Sequence, residues 1–236
     1  MTEVPVGGAP DLPFLRWTGD AGRAHSELVL SPASDSVDAA IAAAREVLAR
    51  LCDVSNLVVL HDTNNVVVGA GTFVAKVTTN NAVAERERLL ADHASAMGAP
   101  AFASVAAPVI SGGFSVVVWP QGAPASSVSR RDAALALRSV QRAWSSCGIS
   151  LPTLAGRLEE ARSLLRSGEL DQVLDRHIAS ALDDVIGEGI EAICDRSAII
   201  HGEPHDGNFV LHRSRLVVID FEAVCLGPIE WDAAFF

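Results

Sequence analysis

Glu203 stands five residues before Asn208, and Asp220 follows that Asn by twelve residues, with the apolar runs Phe209-Val210-Leu211 and Leu216-Val217-Val218-Ile219 between them. Phosphoryl transfer asks for this set. One carboxylate must lie beside an acceptor hydroxyl, while an amide oxygen and a second carboxylate hold Mg²⁺ against nucleotide phosphates, and magnesium prefers hard oxygen ligands. Asp220 ends the apolar strand Val217-Val218-Ile219, a place where a carboxylate rarely goes without a partner. A second chemical residue lies far upstream. Lys76 is alone within Phe73-Val74-Ala75-Lys76-Val77, and an unpaired ammonium is expensive to bury. It needs an anion, and the segment that follows offers Glu85 and Glu87; the plain alternative is an edge-strand lysine facing solvent.

Other chemistries fit less well. His201 and His205 flank Glu203 in His201-Gly202-Glu203-Pro204-His205, but no Pro-Cys-x-x-Cys accompanies them, and Gly202 and Pro204 prevent a helical histidine pair. No Gly-x-Ser-x-Gly elbow or Gly-Lys-Ser/Thr phosphate loop is present. Cys52, Cys147, Cys194 and Cys225 are scattered, as expected of reduced thiols rather than of a disulfide framework or zinc site.

The elements that must position these residues follow from periodicity. Residues 1–34 are rich in Gly, Pro and small polar side chains and are expected to form a flexible arm. Val37, Ile41, Ala44, Val47, Leu48 and Leu51 recur at helical spacing, which predicts a helix over Ser36–Cys52. Three β-rich runs, 56–60, 65–68 and 72–78, are separated by the turn-forming stretches 61–64 and 69–71, the pattern of an antiparallel meander. A charged helix is expected over 82–97, and 101–120 reads as strands with turns. Helical periodicity then covers 130–147, 154–166 and 171–194, before strand-like runs return around Glu203–Asp220. Strands with a helix, an extended linker, then helices carrying a loop and hairpin predict an α+β fold with two lobes.

His201-Gly202-Glu203-Pro204-His205-Asp206-Gly207-Asn208 with Ile219-Asp220-Phe221-Glu222 closely resembles the aminoglycoside phosphotransferase and choline kinase-like family, whose signature is His-Gly-Asp-x-His-x-x-Asn and Ile-Asp-Phe/Trp-Glu. One position departs: the family's catalytic Asp is Glu203 here. The resemblance implies a bilobal protein-kinase-like fold, with a small N-lobe of antiparallel sheet and one helix, and a mainly helical C-lobe. Residues 35–120 would form the nucleotide-binding lobe and 121–236 the catalytic lobe.

It further implies an ATP-dependent, Mg²⁺-assisted phosphotransferase acting on a hydroxyl of a small molecule such as an aminoglycoside, amino alcohol or sugar. Lys76 would hold phosphates with Glu87 orienting it, since Glu85-Arg86-Glu87-Arg88-Leu89-Leu90 matches the family's first helix. Thr63 and Asn64 fall where the family places a phosphate-covering loop. Glu203 would receive or orient the acceptor hydroxyl, and Asn208 and Asp220 would hold Mg²⁺. His201 and His205 would support the loop, and Asp232 of Gly227-Pro228-Ile229-Glu230-Trp231-Asp232 would brace it from behind. Glu203 and the glycine-poor turn leave a nucleotide-binding pseudokinase as one alternative, and an inactive fragment is another, expected because family members usually continue beyond Ala233-Ala234-Phe235-Phe236. Phe235 and Phe236 make an apolar edge expected to pack into the C-lobe or against another chain.

Composition narrows the partners. A net charge of -11 and the absence of Tyr argue against a nucleic-acid surface, which needs a basic footprint and often aromatic stacking. Acidity would favour a cationic acceptor. No secretory signal opens the sequence and no run reads as a membrane span, so a cytoplasmic protein is expected.

Overall fold

A computed structural model describes residues 34–62, 65–125, 128–167, 176–192 and 198–236. Thr63, Asn64, Cys194 and the expected arm, except for Ser34, lie outside the described residues.

Alternation builds the first half. In β2 (Val66–Ala70) and β3 (Phe73–Thr78), Val66, Val68, Ala70, Ala75 and Val77 share one face of the sheet, and Val116 and Val118 of β5 (Phe114–Pro120) join them. Against this face lies α1 (Ser34–Leu48), whose Ala40, Ala43, Ala44, Val47 and Leu48 recur at helical spacing. β1 (Val58–His61) and β4 (Val109–Ser111) complete a five-stranded antiparallel sheet in the order β1-β2-β3-β5-β4. Gly112 and Gly113, with φ of 58° and 84°, supply the two left-handed positions that a tight hairpin between β4 and β5 requires. The first helix stops short of the expected Cys52. Bonds from Arg50 to Val47 and Leu51 to Leu48 tighten residues 49–51 into a turn that delivers the chain to β1.

α2 (Asn81–Ala96) lies against β5 on one side and α3 (Arg130–Trp144) on the other. Asn80 caps it by accepting from the Val83 N–H. Its buried residues Leu90, Ala91 and Ala94 join Val140, Trp144, Phe209, Val218, Phe221 and Val224 in a second core. Trp144 is central: its ring meets Phe221 edge-on at 5.0 Å, and its indole N–H donates to Leu90 O at 3.1 Å.

Helices α4 (Leu154–Ser167) and α5 (Arg176–Ala192) pack against each other, and β7 (Ala198–Ile200) pairs with β10 (Cys225–Gly227). Between those strands run the hairpin β8 (Phe209–His212) and β9 (Arg215–Val218), with β6 (Ala123–Pro124) at its edge. Short α6 (Ile229–Ala233) follows. Phe236 packs on the second core with its ring 6.1 Å from Phe209, while Phe235 remains 42% exposed, so only one of the terminal pair is packed as expected. None of the described helices is long and apolar enough to cross a membrane.

Candidate active site

Sheet register decides where Lys76 points. It pairs with Val67 on β2 and Val117 on β5, on the face opposite α1, so the alternation that buries Ala75 and Val77 under the helix turns Lys76 toward the second half. Its Nζ lies 3.0 Å from Glu87, 2.6 Å from Asp220 Oδ1 and 3.0 Å from Glu222 Oε2. Glu87 belongs to the buried stripe Val83, Ala84, Glu87, Leu90, Ala91 and Ala94 of α2 and is 4% exposed. Glu85 is turned away, held by Arg88 at 2.9 Å. The structure thus brings Glu87, not Glu85, to the lysine.

Residues 201–208 leave β7 as a loop held by a buried carboxylate. Asp232, 2% exposed on α6, accepts the His201 N–H at 2.7 Å, the Gly202 N–H at 2.9 Å and the Gln141 amide at 2.7 Å. The Trp231 indole donates to Gly202 O at 2.8 Å. Gly202 has φ of 89°, and a Cβ there would sit 2.3 Å from Ala223 O, so no other residue fits without moving the chain. The His201 ring is buried, bonded through Nε2 to Ile219 O at 3.0 Å. His205 accepts the Gly207 N–H at 3.0 Å and caps the short turn Asp206–Asn208. Asn208, buried, donates from Nδ2 to Glu203 O at 2.7 Å, which orients its amide and leaves Oδ1 as a hard ligand.

Asp220 follows β9 in a left-handed backbone conformation, φ 65° and ψ 70°, and opens the 3-10 turn Phe221–Ala223. Neighbours hold that turn from several elements. The Phe221 N–H donates to Glu87 at 3.3 Å, Arg86 donates to Glu222 O at 3.4 Å, and Arg157 of α4 donates to Ala223 O. Asn65, just before β2, donates to Glu222 Oε2 at 2.8 Å.

Charge is unbalanced here. One ammonium faces the carboxylates of Glu87, Asp220 and Glu222, whose oxygens lie within 4.8 Å of one another. Burial, reinforced by Asp220 and Glu222, pushes the Glu87 carboxyl up to about 7 against the pull of Lys76. Burial works to lower Lys76, but the three carboxylates outweigh it and hold the ammonium well above its ordinary range. Burial also raises Glu203, with Asp220 and Glu222 adding to it and His205 opposing. Burial lowers His201, which therefore stays neutral. Three carboxylates around one ammonium suit a hard divalent cation such as Mg²⁺ together with a polyphosphate, and the residues present, with the Asn208 amide oxygen, fit that pair.

Lys76, Glu87 and Asp220 are thus brought together, Asn208 is tied to the Glu203 backbone and to Ile219, the residue before Asp220, and Glu203 is within electrostatic reach of Asp220 and Glu222. Asn65, Glu222, Gln141 and Arg157 also contribute, although their types alone did not single them out. Glu222 carried the one available signal, as the last residue of Asp220-Phe221-Glu222.

The model of a family described as the phosphotransferase enzyme family (APH) matches residues 6–236. No curated protein matches the sequence at a meaningful level. Among solved structures, aminoglycoside phosphotransferase APH(3'')-Id from Streptomyces rimosus ATCC10970, in complex with ADP and streptomycin, superposes with a TM-score of 0.61 at 15% identity, covering 81% of this chain and 79% of that one. An aminoglycoside-3'-phosphotransferase of type VIII gives a TM-score of 0.57 at 21% identity, covering 84% and 82%. A thermostable mutant of aminoglycoside phosphotransferase APH(4)-Ia, in a ternary complex with ADP and hygromycin B, gives 0.55 at 15%, covering 81% and 74%. At such identities these likenesses speak for the fold, which is the α+β, kinase-like one.

Proposed function

This chain belongs to the phosphotransferase enzyme family, and from that premise we propose that it is a small-molecule kinase moving the γ-phosphate of ATP to an alcohol hydroxyl. The observation that carries the reading is the Lys76 ammonium, bound to Glu87 on one side and facing Asp220 on the other, above a loop that presents Glu203 and Asn208. Residues 35–120 serve as the nucleotide-binding lobe and 121–236 as the catalytic lobe.

Lys76 holds the phosphates nearest the nucleoside, and Glu87 keeps its ammonium from swinging to Asp220 alone. Asp220 and Asn208 are the protein's ligands for Mg²⁺, with Glu222 the third carboxylate in reach; when bound, the cation neutralises phosphate charge that builds during transfer. Thr63 and Asn64 belong to the turn expected to cover the phosphates. Glu203 orients the acceptor hydroxyl and takes its proton, and its raised pKa moves it toward the range where a carboxylate is an effective base. His201, His205 and Asp232 hold that loop rather than touch substrate. The acceptor is a small molecule. Streptomycin and hygromycin B are named with the structural neighbours, and the net charge of -11 favours a cationic alcohol of that kind.

Glu203 stands where the family's signature has Asp, which favours one other reading, a nucleotide-binding protein without transfer. Labelled γ-phosphate followed onto a panel of aminoglycosides, amino alcohols and sugars separates them, with Asp220→Ala and Glu203→Gln alongside. Transfer lost in both variants supports the kinase. Equal rates for wild type and Glu203→Gln exclude Glu203 as the base, and absence of Mg·ATP binding by the intact protein excludes the whole assignment.

A further inference from the structure

Asn65 directly precedes β2, in a stretch of sequence rich in turn formers, where Asn usually bonds its own backbone. Here its side chain reaches instead to the turn after β9. Asn65 is 7% exposed, and its Nδ2 donates at 2.8 Å to Glu222 Oε2, a residue 157 positions away. The same oxygen lies 3.0 Å from Lys76 Nζ. A neutral donor just before β2 and a cation from β3 therefore converge on one atom of the 3-10 turn. Glu222 is two residues from Asp220, and both carboxylates bond the one Lys76 ammonium, so a shift of the Glu222 carboxylate changes how Lys76 is shared with Asp220.

We propose that Asn65 is a positioning residue for the nucleotide: through Glu222 it sets where the Asp220–Ala223 turn stands relative to Lys76. Opposite walls of the cleft are thereby presented to a polyphosphate at a fixed separation. The inference rests on the phosphotransferase reading and extends it to a residue that touches no reacting atom. An amide suits the task because it donates without charge. A carboxylate at 65 would add to the three already facing one ammonium.

The test is a double-mutant cycle on the full chain with Asn65→Ala, Asn65→Asp, Glu222→Gln and the combinations, read by unfolding midpoints without nucleotide, by Mg·ATP calorimetry and by kcat and KM. Asn65→Ala should weaken Mg·ATP about tenfold, the scale of one hydrogen bond to a charged group, raising the nucleotide KM more than it lowers kcat. Asn65→Asp should be worse, and both effects should shrink in the Glu222→Gln background because the partner is already altered. Asn65→Leu, which keeps bulk and removes the donor, serves if the Ala variant does not fold. Wild-type affinity in Asn65→Ala or Asn65→Leu, or strictly additive effects with Glu222→Gln, would overturn the proposal. If wild type binds no Mg·ATP, the phosphotransferase reading and the proposal fall together. Coupling that appears only in the nucleotide-free unfolding midpoints makes the contact merely structural and overturns the positioning role alone.

Discussion

The two cores hold their functional residues by different physics. Under α1, the buried sheet core is built from Ala, Val and Leu, and strand register aims Lys76. The second core adds Trp144, Phe209 and Phe221, with His201 5.7 Å from Phe221, and the 201–208 loop hangs from the buried Asp232 carboxylate. Register is redundant, since each ladder bond can be lost while its neighbours keep the strand in place. A carboxylate that receives three donors is not redundant, because removing it leaves several buried groups unpaired together. The lysine side should therefore absorb substitution better than the loop that carries Glu203.

Substitutions can break that contrast. Asp232→Ala strands the His201 and Gly202 N–H groups and the Gln141 amide, and should cost about 4 kcal/mol in urea unfolding. Val68→Ala, at a fully buried position of the sheet core, should cost about 2 kcal/mol by cavity formation. If the sheet variant loses as much as Asp232→Ala, the asymmetry is wrong. Gln141→Ala sharpens the point, because it removes one donor and leaves Asp232 its two backbone bonds; about 1 kcal/mol is expected by the same measurement.

The smallest effect is a pH dependence. Burial depresses His201 below its ordinary value of 6.5, so its contribution to stability is complete above that value and is lost as pH falls toward the folded-state value. His201→Gln can keep a donor for Ile219 O but does not titrate. As pH falls below 6.5, wild type should lose more stability than His201→Gln in paired denaturant titrations, and parallel curves would refute a neutral buried imidazole.

The same asymmetry explains what could be read in advance. Lys76 was legible because a lone cation in an apolar strand demands a partner, and Glu203, Asn208 and Asp220 because their spacing is chemical. Glu87 was preferred to Glu85 on the family resemblance alone, and the structure supplies the physical reason: both carry the same charge, and the burial stripe of α2 separates them. Asn65 and Glu222 were obscure for another reason. An Asn in a turn has an ordinary local explanation, and nothing in a linear chain shows that its amide reaches across 157 positions. Gln141 and Arg157 sit on helices whose periodicity reveals a buried face, but not what a polar side chain on its margin will meet. Helix ends were the coarsest reading, since α1 and α3 stop at Leu48 and Trp144 rather than at the expected Cys52 and residue 147.

The left-handed backbone at Asp220 also bears on which changes this site can survive. Two independent filters act on that position, one for a ligand oxygen with charge and one for tolerance of φ 65°. Glycine passes the second and fails the first; glutamate passes the first and fails the second; asparagine passes the second and keeps only a neutral oxygen. Its viable alphabet is close to a single letter. Glu203 faces no such double filter, because among the described residues positive φ outside glycine is confined to Arg213, Ser214 and Asp220. Exchange of Asp for Glu is therefore open to the loop carboxylate and closed to the one that follows β9, so under the proposed roles the base tolerates a change that the metal ligand does not.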